Sequence, residues 1–239
     1  MATKRSYDDR CAVAHALDLV GERWALLVVR ELVFGPKRFT DLRTGMPSVS
    51  PNVLSQRLRE LEQIGVVRRR KLPPPAGAWV YELTDWGQDL EPVIIRLARW
   101  GVRSPYLSWD AALSVDSLML SFKGMFDPQA AEGIAARLEL RFGEDRFRVQ
   151  VADGRIDVAR GSADRPDAVL ETDQATLGAM IYGGRDLDEV VRSGDVVLHG
   201  DASAVASFLK LFPLPAPVPP RRPRGRTIEP ALATSLQST

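Results

Sequence analysis

Residues 50–65 read SPNVLSQRLRELEQIG, and this stretch has the features of a short helix with one apolar and one polar face. Ser50 can cap free backbone N–H groups, and a proline at the first helical position loses no hydrogen bond. Leu54, Leu58 and Leu61 recur at helical spacing, so they predict one buried stripe along the helix. The closing glycine predicts the end of the helix.

The opposite face of this helix carries side chains that suit base edges and phosphates. Asparagine or glutamine can pair bidentately with adenine, and arginine with guanine or a backbone oxygen. The DNA contacts predicted from the helix and its start are Ser50, Pro51, Asn52, Ser55, Gln56, Arg57 and Arg59. For the helix taken alone, the solvated face of an ordinary surface helix is the alternative.

A shorter helix precedes this one. Residues 38–43 predict one turn of helix with Phe39 and Leu42 inward, and Pro47 lies in the turn that follows. Two helices around such a turn are typical of helix-turn-helix DNA-binding proteins, and Arg38 and Thr40 join the predicted DNA contacts.

A basic β-hairpin follows the longer helix. Residues 66–72 and 79–83 predict two strands around the Pro-rich loop 73–77. The first strand carries four consecutive cations, Arg68, Arg69, Arg70 and Lys71. Such a run alone is typical of a solvated edge that blocks aggregation. Placed after a capped helix with a polar face, it predicts a wing that lies against the DNA backbone, and the whole predicts a mainly α winged helix-turn-helix domain.

The order of motifs in this region resembles the HxlR family of bacterial winged-helix regulators. The matching segments are CAV at 11–13, LDLVGERW at 17–24, LVVREL at 27–32, GPKRF at 35–39, SP at 50–51, LSQRL at 54–58, LE at 61–62, YELT at 81–84 and WG at 100–101. The resemblance covers about residues 8–103. It implies a homodimer that binds an inverted-repeat operator in double-stranded DNA.

Two apolar segments support a dimer independently of the resemblance. Residues 12–33 and 85–100 carry large apolar side chains at helical spacing, more than so small a module can cover. Contact with a C-terminal domain is the competing explanation. Thr84 is a suitable N-cap for the second segment, and Pro92 predicts a kink or a late helix start.

Cys11 is the single cysteine of the chain. In HxlR-type regulators a cysteine at this position can sense oxidants or electrophiles, so the resemblance implies a possible redox sensor here. Nearby arginines or a helix N-terminus would favour the thiolate that such chemistry requires. The alternative is a small buried residue beside a dimer helix.

Length and charge predict more than one domain. The chain has 239 residues and a formal charge of +1, but residues 1–103 hold 17 Lys/Arg against 12 Asp/Glu, whereas residues 104–212 hold 11 against 18. The basic N-terminal module is therefore the part of the chain expected to bind a polyanion such as DNA. We predict a DNA-binding and dimerisation domain at 8–103, a connector at 104–117, a second domain at 118–212 and a Pro/Arg-rich tail at 213–239.

The sequence lacks the signatures of several other protein classes. It contains no run of 18 apolar residues and no secretion signal, which predicts a cytoplasmic protein without a membrane partner. One cysteine and two distant histidines disfavour a metal site. The sequence contains no phosphate-binding loop and no nucleophile motif, so it predicts neither an enzyme nor a cofactor.

The second domain shows alternating strand patterns between helical segments. Strands are predicted near 138–142, 147–151, 155–160, 167–172 and 196–200, and helices near 174–182, 186–193 and 202–211. Asp153-Gly154 is a hairpin signal, and Asp127-Pro128 a helix start. This order predicts an α+β domain with an antiparallel sheet covered by helices.

The closing segments of this domain, DAVL at 167–170, SGDVVLHGD at 193–201 and FLKLF at 208–212, resemble a sterol-carrier-protein-2-like domain. The resemblance covers about residues 118–212 and implies a site for an apolar small molecule between sheet and helices. The candidate ligand-binding residues are Met119, Phe122, Phe126, Leu177, Met180, Ile181, Tyr182, Phe208 and Phe212. At helical spacing, such side chains are more often ordinary core.

The sequence thus predicts a cytoplasmic, homodimeric, sequence-specific transcriptional regulator modulated by an apolar effector. Two alternatives stay open. Sensing could lie at Cys11, or the chain could be an apolar-ligand carrier or enzyme whose N-terminal module does not bind specific DNA.

Overall fold

The computed structural model describes residues 6–109 and 111–219, and these residues form two compact units. Unit 1 comprises the chain up to Ile94 together with Ser114–Leu120, and unit 2 comprises Ile95–Leu113 and the chain from Ser121 onward. The predicted connector 104–117 is therefore divided, because the start of the helix that follows it packs with unit 1. The last part of the predicted tail, 220–239, lies outside the described residues.

Unit 1 contains four helices before the hairpin, α1 (Ala12–Val20), α2 (Ala25–Leu32), α3 (Phe39–Gly45) and α4 (Pro51–Gln63). The helix α4 begins as predicted, since the Ser50 hydroxyl accepts the backbone N–H of Val53 at 3.3 Å. Leu54, Leu58 and Leu61 are buried, which confirms the apolar stripe.

The apolar spacing over residues 12–33 does not form one helix. The chain leaves helical geometry after Val20, and Trp24 has φ +79°, a left-handed conformation that a bulky residue rarely adopts. The turn resets the helical register, so side chains of α1 and α2 do not share the single face that the spacing predicted.

The hairpin consists of β1 (Val67–Lys71) and β2 (Trp79–Leu83), paired antiparallel with Arg68 opposite Glu82. Thr84 then caps α5 (Asp85–Gln88) by accepting the Gly87 N–H at 3.1 Å. The next helix, α6 (Glu91–Gly101), has Pro92 as its second residue, which confirms the late start.

A buried charged cluster ties the first turn of α7 (Val115–Met125) into unit 1. Glu31 has no exposed surface, and its carboxylate accepts from Arg30 at 2.7 Å, from Lys37 at 2.9 Å and from the Ser114 hydroxyl at 2.6 Å. Lys37 also donates to the buried Asp116 at 2.5 Å. A charge taken out of water needs this degree of pairing.

Burial alone would raise the pKa of Glu31. The charges of Lys37 and Arg30, with the hydrogen bonds from Ser114 and Lys37, outweigh it and hold the pKa of that carboxyl below its usual value. Glu31 therefore stays ionised within the cluster at neutral pH.

Gly45 closes α3 against the same carboxylate, and a Cβ there would lie 2.1 Å from Glu31 Oε2. Because three donors hold Glu31 in place, we expect Gly45→Ala to lower the free energy of unfolding by about 1–3 kcal/mol in urea melts. Gly178→Ala is the matched control, since a Cβ there meets nothing within 4 Å inside a helix, and it should stabilise by about 0.5–1 kcal/mol. Equal effects of the two substitutions would contradict this account.

Unit 2 is built on five strands in the order β5-β4-β3-β6-β7. The strands are β3 (Ala136–Phe142), β4 (Asp145–Ala152), β5 (Arg155–Arg160), β6 (Ala168–Glu171) and β7 (Val197–Gly200), and the helices are α8 (Gln174–Tyr182), α9 (Leu187–Ser193) and α10 (Ala202–Phe208). Asp153 and Gly154 both have positive φ and form the predicted hairpin turn. The predicted α+β class is confirmed, but the helix start at Asp127-Pro128 is wrong, because residues 128–133 form turns.

The sheet is mixed, so the prediction of an antiparallel sheet is wrong. Strands β3 and β6 run parallel, with Leu138 beside Ala168, and the other three pairs are antiparallel. Parallel neighbours usually need a connection of about a dozen residues. Residues 143–167 make this connection and include β4 and β5. The segment 161–167 then leads from β5 to β6, and its Ala163 N–H donates to the buried Glu139 at 2.8 Å.

The core of unit 2 includes a tight aromatic group. Phe122 stacks on Phe212 with ring centroids 4.8 Å apart and meets Phe208 edge-on at 5.5 Å. All three rings are buried. Their mutual contacts fill the space between them.

Candidate DNA interface

The helices α3 and α4 form the predicted helix-turn-helix. Between them Met46 and Val49 are buried, and the Val49 N–H donates to the Met46 carbonyl at 3.1 Å. Asp41 accepts the backbone N–H of Arg38 at 2.9 Å, which fixes the start of α3. Arg38 and Thr40 are exposed at this start, and Ser50 and Pro51 at the start of α4.

The outer side of α4 carries four of the predicted contacts. Asn52, Gln56 and Arg59 are exposed and Ser55 is half-buried. We call these four side chains the recognition face. Within it, the Gln56 amide donates to Glu60 at 2.9 Å, so this glutamine is held in one orientation.

Arg57 is not on the recognition face, and its prediction as a DNA contact does not agree with the structure. Its side chain is only 10% exposed, and it is ion-paired with Glu60 one turn on and with Glu22 at 3.8 Å. Its position beside Leu58 on the helix turns it inward. Arg57 therefore connects α4 to the α1–α2 turn, which holds Glu22.

The wing places its four cations on two faces of the hairpin. Arg68 and Arg70 share one face with Glu82, whose two carboxylate oxygens each accept from one Nε, at 2.6 and 2.7 Å. Burial raises the pKa of Glu82, but the hydrogen bonds and charges of Arg70 and Arg68 outweigh it, so the pKa lies below its usual value. The pair of arginines therefore surrounds an ionised carboxylate.

Arg69 and Lys71 lie on the other face of the wing. The Arg69 guanidinium lies 4.5 Å from the Trp79 ring centroid and 5.9 Å from that of Tyr81. Such cation–π contacts orient the guanidinium without neutralising it. Lys71 is exposed at the end of β1.

Sequence reasoning missed Glu82 and the two aromatic partners of Arg69. The signal was present in the hairpin, because counting back from the loop places Tyr81 and Glu82 opposite the central arginines. A run of four cations on one strand does not by itself show which side chains lie opposite them.

Several apolar side chains are exposed on the helices predicted to form a dimer. None of the nine residues of α1 is buried, and Val13 and Leu17 are 67% and 44% exposed. On α6, Val93, Leu97 and Trp100 are exposed, and Trp100 reaches 74%. Val28, predicted among these residues, is instead buried in α2.

Cys11 lies directly before α1 and is exposed, so the alternative of a buried small residue is not observed within this chain. The backbone N–H groups of Ala14 and Val13, in the first turn of α1, lower the pKa of this thiol. This is the helix N-terminus effect that the sequence suggested.

The predicted ligand-binding residues do not all belong to one unit. Met119 belongs to the segment of α7 that packs with unit 1, whereas the others lie in unit 2. Phe126 and Leu177 are buried like the three contacting phenylalanines. Tyr182 donates to or accepts from Ser121 at 2.8 Å, and burial raises the pKa of Tyr182 to about 12 although the Ser121 bond opposes this.

Three of the predicted residues do border an open groove of about 550 Å³ in unit 2. Met180, Ile181 and Phe212 form part of its wall, with Leu187 and Leu209. The lining also includes Arg185, Asp186 and Lys210, so the groove combines apolar and charged side chains and is open to solvent. Among the described helices, none is long and apolar enough to span a lipid bilayer.

Comparison with known proteins divides the chain into two matched regions, with the boundary between residues 106 and 110. Residues 19–106 match the profile of the HxlR-like helix-turn-helix family, and residues 110–218 match the profile named alkyl sulfatase C-terminal. A structure of the sec-alkylsulfatase Pisa1 from Pseudomonas sp. matches 41% of this chain at 22% identity and a TM-score of 0.36, and the chain spans only 15% of the length of Pisa1.

Curated relatives match the N-terminal half. The uncharacterized HTH-type transcriptional regulator YvaP of Bacillus subtilis is 39% identical over 85 residues, which are 36% of this chain and 79% of YvaP. The HTH-type transcriptional regulator YodB of the same organism is 38% identical over 36% of this chain and 76% of YodB. The reduced form of YodB has been solved, and it matches 40% of this chain and 94% of that chain at 34% identity and a TM-score of 0.36. Through its N-terminal half, the chain belongs to the HxlR-like helix-turn-helix family.

Proposed function

We propose that this protein is a cytoplasmic transcriptional regulator that binds a specific operator in double-stranded DNA. The observation that carries the proposal is the exposed recognition face of α4, which follows α3 and precedes a wing with four cations. Recognition-helix side chains would contact base edges, and wing cations would contact phosphates. The proposal assigns no catalytic step to the chain.

The test is a titration of full-length protein into two labelled duplexes, at several salt concentrations. One duplex is selected by the protein from a random library, and the other is a shuffled version of it. We expect a preference of about a thousandfold or more at moderate salt. Equal binding of both duplexes would refute the proposal and favour a ligand carrier with a basic surface.

We propose further that the regulator is a homodimer on an inverted repeat, with α1 as part of the interface. An apolar helix without one buried residue leaves much of its apolar surface uncovered by its own chain, so a second copy is the partner that its composition fits. A twofold interface would also place two α4 helices symmetrically on the two half-sites.

The dimer predicts the effect of a charge on α1. Leu17→Glu should convert the dimer to a monomer and weaken operator binding about a hundredfold, because an unpaired carboxylate would be buried in the interface. Light scattering coupled to gel filtration reports the mass. Val191→Glu, at a similarly exposed valine of α9, is the matched control and should leave the mass unchanged. A Leu17→Glu variant that remains dimeric would contradict the assignment.

For unit 2 we propose an effector-binding role, in keeping with its resemblance to sterol-carrier-protein-2-like domains. The apolar side chains that line the groove, Met180 and Ile181 among them, support this role. Extraction of cell-purified protein should release an apolar compound, and adding it back should raise the melting temperature of the full chain. A Met180→Asp variant that retains the same compound would refute the groove as its site.

A second candidate moves the signal input to Cys11. The exposed thiol before α1 and its lowered pKa favour this role. In that case an oxidant should weaken operator binding by the native protein and leave the Cys11→Ser variant unaffected. An equal response of both proteins would exclude Cys11 as the sensor.

A further inference from the structure

Glu82 occupies an unusual place in the wing, because one carboxylate holds two exposed arginines. We propose that Glu82 is a positioning residue for DNA binding: it fixes the guanidinium groups of Arg68 and Arg70 so that their terminal nitrogens face adjacent phosphates. This inference rests on the proposed DNA-binding function.

Both arginines contact Glu82 through the same type of guanidinium nitrogen, which leaves their terminal nitrogens available for phosphates. Arg68 and Arg70 each use Nε, at 2.6 and 2.7 Å, on different oxygens of Glu82. A guanidinium has five N–H donors in a rigid planar fork, so four donors on the terminal nitrogens remain for each arginine. Paired terminal nitrogens suit the oxygens of a phosphate.

The three side chains also differ in how much of each is exposed to solvent. The Glu82 side chain is 11% exposed, whereas those of Arg68 and Arg70 are 63% and 42% exposed. The carboxylate therefore lies beneath the two guanidiniums, which stand between it and solvent. One negative charge against two positive charges leaves this face of the wing attractive to DNA.

The cost of ordering long side chains gives further support. A free arginine loses most of its rotamer freedom when it binds a phosphate, and this loss weakens binding. Arg68 and Arg70 are already ordered by Glu82, and their positions two residues apart on β1 set the distance between them. Two phosphates at one spacing would then be bound with little further loss of freedom.

The test compares wild-type protein with Glu82→Gln on the selected and the shuffled duplex. Fixed phosphate contacts set the register in which α4 meets the base edges, and only the selected duplex requires that register. We therefore expect the preference for the selected duplex to fall about tenfold or more, while affinity for the shuffled duplex stays within about threefold. The slope of log affinity against log salt on the selected duplex should fall by about 0.9 for each phosphate that the variant no longer neutralises.

Glu139→Gln is the matched control. Glu139 is also a buried glutamate, and it pairs with Arg141 at 2.7 Å and Arg146 at 3.7 Å, but in unit 2. The substitution changes net charge identically and should leave the preference unchanged.

A coupling measurement separates positioning from simple support of the fold. Arg68→Lys removes the Nε donor and should lower the preference in the wild-type protein, but cause no further decrease in the Glu82→Gln background. If Glu82→Gln fails to fold, Glu82→Asp keeps the charge with a shorter reach and should show the same direction of change.

Two results would overturn the inference. If Glu82→Gln binds both duplexes more tightly with the preference unchanged, the carboxylate opposes DNA binding and does not position the arginines. If the wild-type protein itself shows no preference, the proposed function fails and this inference fails with it.

Discussion

Replacing Asn52 and Arg59 together by alanine is expected to weaken binding to the selected duplex by about a hundredfold or more. Both side chains are exposed on the recognition face, near the start and the middle of α4. A bidentate contact to a base contributes about 1–3 kcal/mol of discrimination, and the two residues lie two helical turns apart, so their effects should nearly add. A titration at fixed salt measures the effect.

Arg155→Ala supplies the control, since Arg155 is an exposed arginine at the start of β5 in unit 2. It should change affinity for the selected duplex by less than about threefold. The double variant should also keep its affinity for the shuffled duplex within about tenfold. An unchanged affinity of the double variant for the selected duplex would show that α4 does not read bases.

Lys37→Met is expected to lower the free energy of unfolding by about 3–5 kcal/mol, because it leaves two buried carboxylates without their shared cation. Glu31 and Asp116 both lose Lys37 Nζ, although Glu31 keeps Arg30 and Ser114. Urea unfolding followed by circular dichroism measures the change. Lys210→Met, at an exposed lysine of unit 2, should change stability by less than about 0.5 kcal/mol.

The same variant predicts a pH dependence. In the native protein the pKa of Glu31 lies below its usual value of about 4.3. The ionised carboxylate therefore contributes to the free energy of unfolding above that usual value, and this contribution is lost as pH falls through the lowered pKa. In Lys37→Met this contribution is smaller at neutral pH, because Lys37 is the charge that lowers the pKa of Glu31 most. The stability difference between the two proteins should therefore shrink as pH falls below about 4, and a difference independent of pH would contradict the account.

Local patterns predicted most of the secondary structure. The serine cap and leucine stripe of α4 depend on neighbours within one turn, and so do the alternating strands of unit 2. Parallel pairing of β3 with β6 was not predictable in this way. It depends on how residues 161–167 return along the sheet, and a short irregular segment carries no periodic signal.

In the candidate site too, some residues followed from local sequence patterns and others depended on distant contacts. Residues exposed on α4 followed from its helical period, but Arg57 was misplaced because a cation was assumed to face outward. Its burial depends on Glu22, 35 positions earlier, which helical spacing does not reveal. The role of Glu82 required the register between two strands, and that of Asp116 required a contact with Lys37, 79 positions away.

The buried cluster around Glu31 bears on how this protein can be divided into fragments. The match to the HxlR-like profile ends at residue 106, and a fragment cut there would lack both Ser114 and Asp116. Lys37 would then lose its ion pair with Asp116 and keep only Glu31. Glu31 would lose the hydrogen bond from the Ser114 hydroxyl. A fragment intended to retain the native stability of the DNA-binding half should therefore extend at least through Leu120, past the loop before α7 and into that helix.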